Sequence, residues 1–226
     1  MTPIAETESE YRYEWKYLVD QDEALKGLSK FQSYLQPELK YPNYTILNLY
    51  FDTFDLTSLQ QKDGGDFKKT KYRLRTYSGS QFSQWKPEVK LKFGDRSRKS
   101  SGRFFSDTDL QTTIDQLRSP FDWPSPRQQF SDHEMRFPKL WVKYRRHAYT
   151  SWDRQVRVTF DDQLSGRRFC SSEPPETMAF SSNKTVFEVK HGPKAPYWLD
   201  QLKATLRPYR ASFSKYAHLY HLSCHS

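Results

Sequence analysis

At least five short segments of this chain carry a charge on every second residue, with apolar or aromatic side chains between. They are Arg12-Tyr13-Glu14-Trp15-Lys16, Lys71-Tyr72-Arg73-Leu74-Arg75, Glu88-Val89-Lys90-Leu91-Lys92, Arg157-Val158-Thr159-Phe160-Asp161 and Glu188-Val189-Lys190. Successive side chains of a β-strand point to opposite faces, so each segment has one charged and one apolar face. One such strand is ordinary. Five leave two architectures: a sandwich whose charged faces meet solvent, or a barrel whose charged faces converge inside while helices cover its apolar exterior. The second would be a site for a highly charged ligand.

Charge balance points the same way. Lys plus Arg number 36 against 27 Asp plus Glu, a formal net charge of +9 with pI near 9.4, which favours a polyanionic partner such as nucleic acid, anionic lipid, nucleotide or polyphosphate. Hydrophobic residues at 35% with 8 glycines fall below the ~45–50% apolar share of ordinary globular domains. Aromatics at 16% offset this through the area each buries, so the expectation is a folded chain with a largely polar interior surface. Cys170 and Cys224 are the two cysteines and have no metal-ligand spacing, so neither a disulfide framework nor a zinc site is indicated and a reducing, cytoplasmic setting is the default. Met1 to Glu10 reads as a flexible polar tail, and no stretch approaches ~20 apolar residues. The chain is therefore expected to be soluble, although a longer parent could carry an anchor elsewhere.

Along the chain, a strand over 11–19 precedes a helix from an Asp20 N-cap to about Leu35, with Glu23 completing a capping box and Leu25, Leu28, Phe31 and Leu35 on one side. Thr45 to Asp52 is a strand, Gln60 to Gly65 a turn, and Lys71–Tyr77 with Trp85–Phe93 a hairpin around Ser78-Gly79-Ser80. Asp95 to Ser100 reads as a basic loop, to which guiding an incoming polyanion and mere disorder are equal alternatives. A helix over 107–117 ends at a proline-rich stretch containing Pro120, Pro124 and Pro126. Strands over 141–149 and 155–162 follow, then a loop over 166–183, a strand over 185–190 and helices over 197–206 and 212–222. Antiparallel pairing and a single domain over 1–226 are expected.

The charged faces supply the candidate chemistry. Lys71, Arg73 and Arg75 form a ladder suited to a chain of phosphates, since guanidinium groups grip phosphate oxygens bidentately; a solvated strand edge is the ordinary alternative. Glu88, Lys90 and Lys92 repeat the pattern on the next strand, and like charges facing across the hairpin repel unless an anion or carboxylate lies between them. Glu14 with Lys16, and Glu188 with Lys190, either form salt bridges or help hold a divalent metal. Tyr144 and Arg146 share one face of their strand, which leaves Lys143, Arg145 and His147 on the other without a clean apolar side. No glycine-rich phosphate loop, HExxH or GxSxG is present. The aromatic residues are expected on the apolar faces, away from the cations, a poor geometry for nucleic-acid bases.

In order, Arg12-Tyr13-Glu14-Trp15-Lys16-Tyr17, Leu49-Tyr50-Phe51-Asp52-Thr53, Lys71-Tyr72-Arg73-Leu74-Arg75-Thr76-Tyr77, Glu88-Val89-Lys90-Leu91-Lys92, Tyr144-Arg145-Arg146-His147-Ala148-Tyr149, Val156-Arg157-Val158-Thr159-Phe160-Asp161, Phe187-Glu188-Val189-Lys190 and Phe213-Ser214-Lys215-Tyr216 resemble the VTC domain, the polyphosphate polymerase branch of the triphosphate tunnel metalloenzymes. The resemblance implies an α+β fold, an antiparallel barrel of about eight strands open as a basic tunnel with helices outside. It implies phosphate contacts from Lys16, Arg73, Arg75, Lys90, Arg146, Arg157 and Lys215, further contacts from Tyr144, Ser214 and Lys92, which could replace Lys90, and Glu188 as ligand to Mn2+ or Mg2+. ATP and polyphosphate are the implied partners, with no nucleic acid, and transfer of the ATP γ-phosphoryl group to polyphosphate the implied activity. Triphosphate hydrolysis and non-catalytic binding of polyphosphate or inositol phosphates are the alternatives. Arg12 stands where the triphosphatases' Glu-x-Glu-x-Lys motif has its first glutamate, a change that favours gripping a longer chain over two-metal hydrolysis.

Overall fold

A computed structural model describes residues 13–77, 84–94, 96–106, 110–124, 134–194, 196–206 and 209–225. Arg12, the hairpin turn at Ser78-Gly79-Ser80, Asp95, the first residues of the expected second helix and Pro126 lie outside them.

The elements in chain order are β1 Tyr13–Val19, α1 Gln21–Phe31, β2 Leu35–Pro37, β3 Asn43–Asp52, α2 Thr57–Asp63, β4 Lys68–Tyr77, β5 Gln84–Phe93, β6 Arg96–Ser101, β7 Phe105–Ser106, α3 Leu110–Gln116, β8 Phe137–Ser151, β9 Val156–Arg168, β10 Phe180–Ser181, β11 Thr185–His191, α4 Tyr197–Leu206 and α5 Lys215–Leu222. One curled antiparallel sheet runs β1-β11-β9-β8-β3-β4-β5-β6, with β2, β7 and β10 paired at its margins. The curl carries β1 round to β5, where the Glu14 carboxylate meets the Lys90 ammonium at 2.8 Å. The segment before α5 lines the same seam: Arg210 bridges Tyr17 and the Ala211 N–H donates to the Lys16 carbonyl at 3.0 Å.

Helices cover the outer face where it is apolar. Ala24 and Phe31 of α1 and Trp198, Leu199, Leu202 and Leu206 of α4 pack on Tyr17, Val158, Phe160, Phe187 and Val189. Leu110 and Ile114 of α3, with Leu117 and Trp123, pack on Leu47, Leu49, Tyr72, Leu74 and Val89. In contrast, α5 enters the curl: Tyr216, Ala217 and Leu219 bury against Ile46, Tyr50, Leu140, Val142, Tyr144 and Leu164. Asp52 fixes this helix. Its fully buried carboxylate accepts from the N–H groups of Thr53, Ser58 and Leu59, so it organises the start of α2, and from the Tyr216 hydroxyl at 2.9 Å.

Several sequence expectations are corrected. The first helix stops at Phe31 because Leu35 pairs with Ser151 in β2. Its capping box does not form, since the Asp20 carboxylate takes Lys184 at 2.7 Å and Glu23 takes Lys26 at 2.8 Å, and Leu25 is exposed. Residues 60–63 belong to α2, leaving only Gly64-Gly65 as the turn. The expected basic loop is mostly β6, paired to β5 from Arg96↔Phe93 to Ser101↔Glu88. Gly94, at φ 52, turns the chain into it, and a Cβ there would meet the Phe67 ring at 2.7 Å. The described part of the second helix starts at Leu110, and the last helix starts at Lys215, capped by the Ser214 hydroxyl, which accepts from the Ala217 N–H. The expected 166–183 loop contains the end of β9 and β10.

The mixed face of β8 has a plain cause. Arg145 and His147 lie half-buried on the outer side of its second half because both meet the Asp162 carboxylate, at 2.9 and 3.1 Å, while Tyr149 on the same side packs against the core beneath α1 and α4. The register slips between Lys143 and Arg145. An extra β9 residue, with Gln163 at φ 51, forms a bulge that returns Leu164 to the inner face with Asp161.

Candidate functional site: a cationic tunnel

Alternation on β4 sets out the site. Its inward residues are Lys69, Lys71, Arg73, Arg75 and Tyr77, which at ~3.4 Å per residue extend over about 27 Å. On β5 they face Lys92, Lys90 and Glu88, in register as Lys69↔Lys92, Lys71↔Lys90 and Arg73↔Glu88. The strand thus runs from a lysine end, where like charges face each other, to an arginine end, where Arg73 faces Glu88 and Arg75, opposite Lys86 in the register, reaches the same carboxylate at 3.4 Å. The cavity inside the curl measures about 940 Å³. Lys16, Arg73, Arg75, Lys90, Lys92, Tyr144, Arg146, Arg157, Glu188, Ser214 and Lys215, the residues singled out in the sequence, all line it. Among the described residues fourteen lysines and arginines line the cavity against three carboxylates. Much of the chain's +9 is therefore turned inward.

At the arginine end the cations are held by carboxylates and hydroxyls. Glu88 takes Arg73 through Nε at 2.8 Å and Nη2 at 2.6 Å, Arg75 at 3.4 Å and Lys99 at 3.0 Å. These cations, Arg75 first, outweigh burial and hold its carboxyl far below the usual range. Arg75 also donates to the Asn48 side-chain oxygen Oδ1 at 2.8 Å and the Tyr144 hydroxyl at 3.3 Å. Arg146 forks onto Asp161 at 2.6 and 2.7 Å, and Lys215 reaches the same carboxylate at 2.7 Å. Burial pushes the Asp161 carboxyl up, but Arg146 and Lys215 bring it down to about 2. Arg157 pairs with Glu38 at 2.5 Å and donates to the Tyr44 hydroxyl at 3.4 Å.

The lysine end is less compensated. The Lys71 ammonium donates to the Ser214 hydroxyl at 2.8 Å. Burial pulls it well below the ordinary lysine range, and Lys16, Lys90, Lys62 and Arg73 push the same way. Burial and Lys16 together lower Lys90 to about 8, against the attraction of Glu14. Cations this close repel one another, and an anion among them relieves the repulsion, as Glu14 does for Lys90 at 2.8 Å.

Between the ends, Glu14 and Glu188 form the acidic spot. Lys16 lies 3.0 Å from Glu14 and 3.6 Å from Glu188, and Lys190 lies 2.7 Å from Glu188 and 4.0 Å from Glu14. Burial and Glu188 raise the Glu14 carboxyl, but Lys16, Lys90 and Lys190 outweigh them and bring it to about 2. Among the described residues no group of three or more His, Cys, Asp or Glu converges. Two neighbouring carboxylates nonetheless fit a hard divalent cation that takes the rest of its shell from phosphate oxygens and water, the usual habit of Mg2+. Glu188, with Glu14 beside it, would hold such an ion.

The sequence reading missed the residues that position the arginines. Asn48 and Tyr50 are buried on the inner face of β3; the signal was their alternation with Leu47, Leu49 and Phe51. Glu88 faces the same cavity wall as the anchor of three cations. The expectation that aromatics avoid the basic face is corrected: Tyr44, Tyr50, Tyr77 and Tyr144 all line the cavity, because their hydroxyls bond the arginines. No helix among the described residues is long and apolar enough to cross a membrane.

A curled antiparallel sheet with cations inside and α1, α3 and α4 packed on its outer face defines a tunnel fold. The VTC domain family profile matches residues 11–223, and the chain belongs to that family. Among solved structures, a candidate adenylate cyclase from Bacillus halodurans aligns over 91% of this chain and 94% of its own, at 13% identity and a TM-score of 0.56. One from Vibrio parahaemolyticus aligns over 91% and 95%, at 15% identity and a TM-score of 0.51. A Hippeastrum adenylyl cyclase candidate, described as having a dominant triphosphatase activity, aligns over 95% of both chains at 9% identity and a TM-score of 0.52. These likenesses establish the fold. A search of curated protein sequences returns no match.

Proposed function

We propose that the tunnel is a metal-dependent polyphosphate polymerase site, which transfers the γ-phosphoryl group of ATP to the end of a polyphosphate chain and releases ADP. The observation that carries this is the like-charge pairing of Lys69↔Lys92 and Lys71↔Lys90 beyond the arginine ladder. A triphosphate covers only part of the ladder, and the lysine extension gives a longer phosphate chain its counter-charges. Arg12, where the triphosphatase motif would have its first glutamate, agrees with a grip on phosphate.

In this mechanism a terminal oxygen of the polyphosphate, already ionised, attacks the γ-phosphorus, and the bond from that phosphorus to the β–γ bridging oxygen breaks. No side-chain nucleophile is needed. Arg73, Arg75 and Arg146 hold the phosphates in line and offset charge on the transferring group. Their positions are set in advance by Glu88, Asn48, Tyr144 and Asp161, so little reorganisation accompanies the reaction. Lys16, Lys90, Arg157, Lys215, Lys92 and Ser214 bind the flanking phosphates. Mn2+ or Mg2+ on Glu188 would supply neutralisation of the phosphate oxygens.

A second reading, triphosphate hydrolysis, draws on the Hippeastrum protein's described activity. Incubating the purified chain with ATP and manganese, beside the Glu188→Gln variant, separates the readings by product. The expected result is a polyphosphate ladder with ADP, absent from the variant. Free phosphate without a ladder supports hydrolysis, and tight polyphosphate binding without turnover makes the tunnel a binding module.

A further inference from the structure

The two mouths of the tunnel differ in more than charge. Tyr77 closes the inward row of β4, and Tyr44 stands beside it on β3; their ring centroids are 5.9 Å apart at 56°. Tyr41, on the exposed loop between β2 and β3, meets Tyr44 at 6.4 Å and 71°. Both Tyr44 and Tyr77 line the cavity. Cations hold them by their edges and faces: Arg157 donates to the Tyr44 hydroxyl at 3.4 Å, and the Arg75 guanidinium lies 5.8 Å from the centre of the Tyr77 ring. The nearby cations already have carboxylate partners in Glu38 and Glu88, so this mouth has less charge to offer a phosphate chain than the other and more aromatic surface.

We infer that Tyr44 and Tyr77 form a stacking seat for the base of a nucleoside triphosphate, which fixes the polarity of the tunnel. The nucleoside lies at the arginine end with its phosphates pointing inward along Arg75 and Arg73, and the phosphate chain occupies the lysine end. This rests on the proposed triphosphate-binding role of the tunnel. Stacking on ring faces is tolerant of base identity, so the seat accepts purine nucleotides of either kind. The competing position is Phe67, the exposed aromatic at the lysine mouth. It stands beside Lys69 and Lys92, which face each other in the register of β4 and β5, a place suited to phosphate.

The test compares two probes with the same number of phosphates: the non-hydrolysable β,γ-imido analogue of ATP and inorganic tripolyphosphate, titrated by calorimetry into the full chain. Tripolyphosphate carries at least as much negative charge, so any preference for the analogue comes from the nucleoside. The expected result is tighter binding of the analogue by the unmodified protein. In the Tyr44→Ala/Tyr77→Ala variant that preference, read as the ratio of the two affinities so that any effect on Arg157 or Arg75 divides out, falls about ten-fold by loss of stacking, and Tyr44→Phe/Tyr77→Phe, which keeps the rings, restores it. Phe67→Ala leaves the preference intact. Equal loss for both probes, no preference in the unmodified protein, or loss only in Phe67→Ala would each overturn the seat. The unmodified comparison decides even where the alanine variant fails to fold. A seat without polyphosphate synthesis would sink the polymerase and spare this inference; synthesis without a nucleoside preference would do the reverse.

Discussion

The arginine and lysine ends of the tunnel solve the problem of buried charge in opposite ways. Arg73, Arg75 and Lys99 share Glu88, and Arg146 and Lys215 share Asp161, so that end is a set of closed ion-pair networks that hold their geometry without a ligand. Lys71 faces Lys90 across the hairpin and has a hydroxyl as its partner, so that end is at its most stable with a polyanion inside. Preorganisation belongs to the first region and affinity for a long phosphate chain to the second. The difference teaches that positive charge alone does not describe the site; where the compensating carboxylates stand decides what each cation can do.

The largest effects should come from breaking the closed networks. Arg146→Ala leaves the fully buried Asp161 with Lys215 alone, and should cost about 3 kcal/mol in a denaturant titration. Removal of a charge-stabilising donor should also lower turnover at least ~100-fold. Arg73→Ala should lose activity to the same degree with a smaller stability cost, because Glu88 keeps Arg75 and Lys99. Full activity in both variants would contradict the proposed role of the arginine end.

A substitution at the lysine end should behave in the opposite sense. Lys71→Gln removes a buried repulsion and is expected to stabilise the ligand-free protein by about 1 kcal/mol, while weakening the binding of long-chain polyphosphate. A melting curve and a polyphosphate titration read the two signs. A loss of stability would show that Lys71 is compensated in the free protein.

The pH response should divide along the same line. Lys90 has its folded-state pKa lowered from 10.5 to about 8, so the unfolded chain binds the extra proton between those values and ligand-free stability should rise as pH climbs from about 8 to 10.5. Polyphosphate affinity should fall over the same range as the ammonium discharges. Asp161 is lowered from 3.8 to about 2, so its contribution is present above 3.8 and lost as pH falls through about 2. Denaturant titrations at several pH values check both directions.

The smallest effect concerns the clasp at the aromatic mouth. Arg157 and Glu38 are each about a quarter exposed, and pairs of this kind are worth at most about 1 kcal/mol. Glu38→Gln should free Arg157 and tighten tripolyphosphate binding about two-fold, as read by calorimetry. Weaker binding would mean that Glu38 serves to aim the guanidinium.

Much of the site was legible because it obeys a local rule. Arg73, Arg75, Lys90 and Glu188 are inward because alternation on a strand is a property of the backbone, visible in five residues. Asn48, Tyr44 and Tyr77 were harder to read, since a polar or aromatic residue in a strand says nothing about the guanidinium that will meet it from 27 positions away, as Arg75 meets Asn48. The basic stretch after Gly94 looked like a loop for a related reason: Arg98 and Lys99 have no apolar neighbours to mark a strand, and their pairing with Leu91 and Lys90 is supplied by β5.

By itself the sequence determined the two-faced strands, the inward excess of positive charge and the family to which they belong, because period, composition and motif order are carried by neighbouring residues. Tertiary structure decided which cations are compensated. Whether Lys71 meets a carboxylate or another lysine depends on strand register, on the curl that brings Glu14 to Lys90, and on the Asp52 anchor that seats α5 with Ser214 and Lys215 in the tunnel. Those are outcomes of packing the whole sheet, and no single strand encodes them.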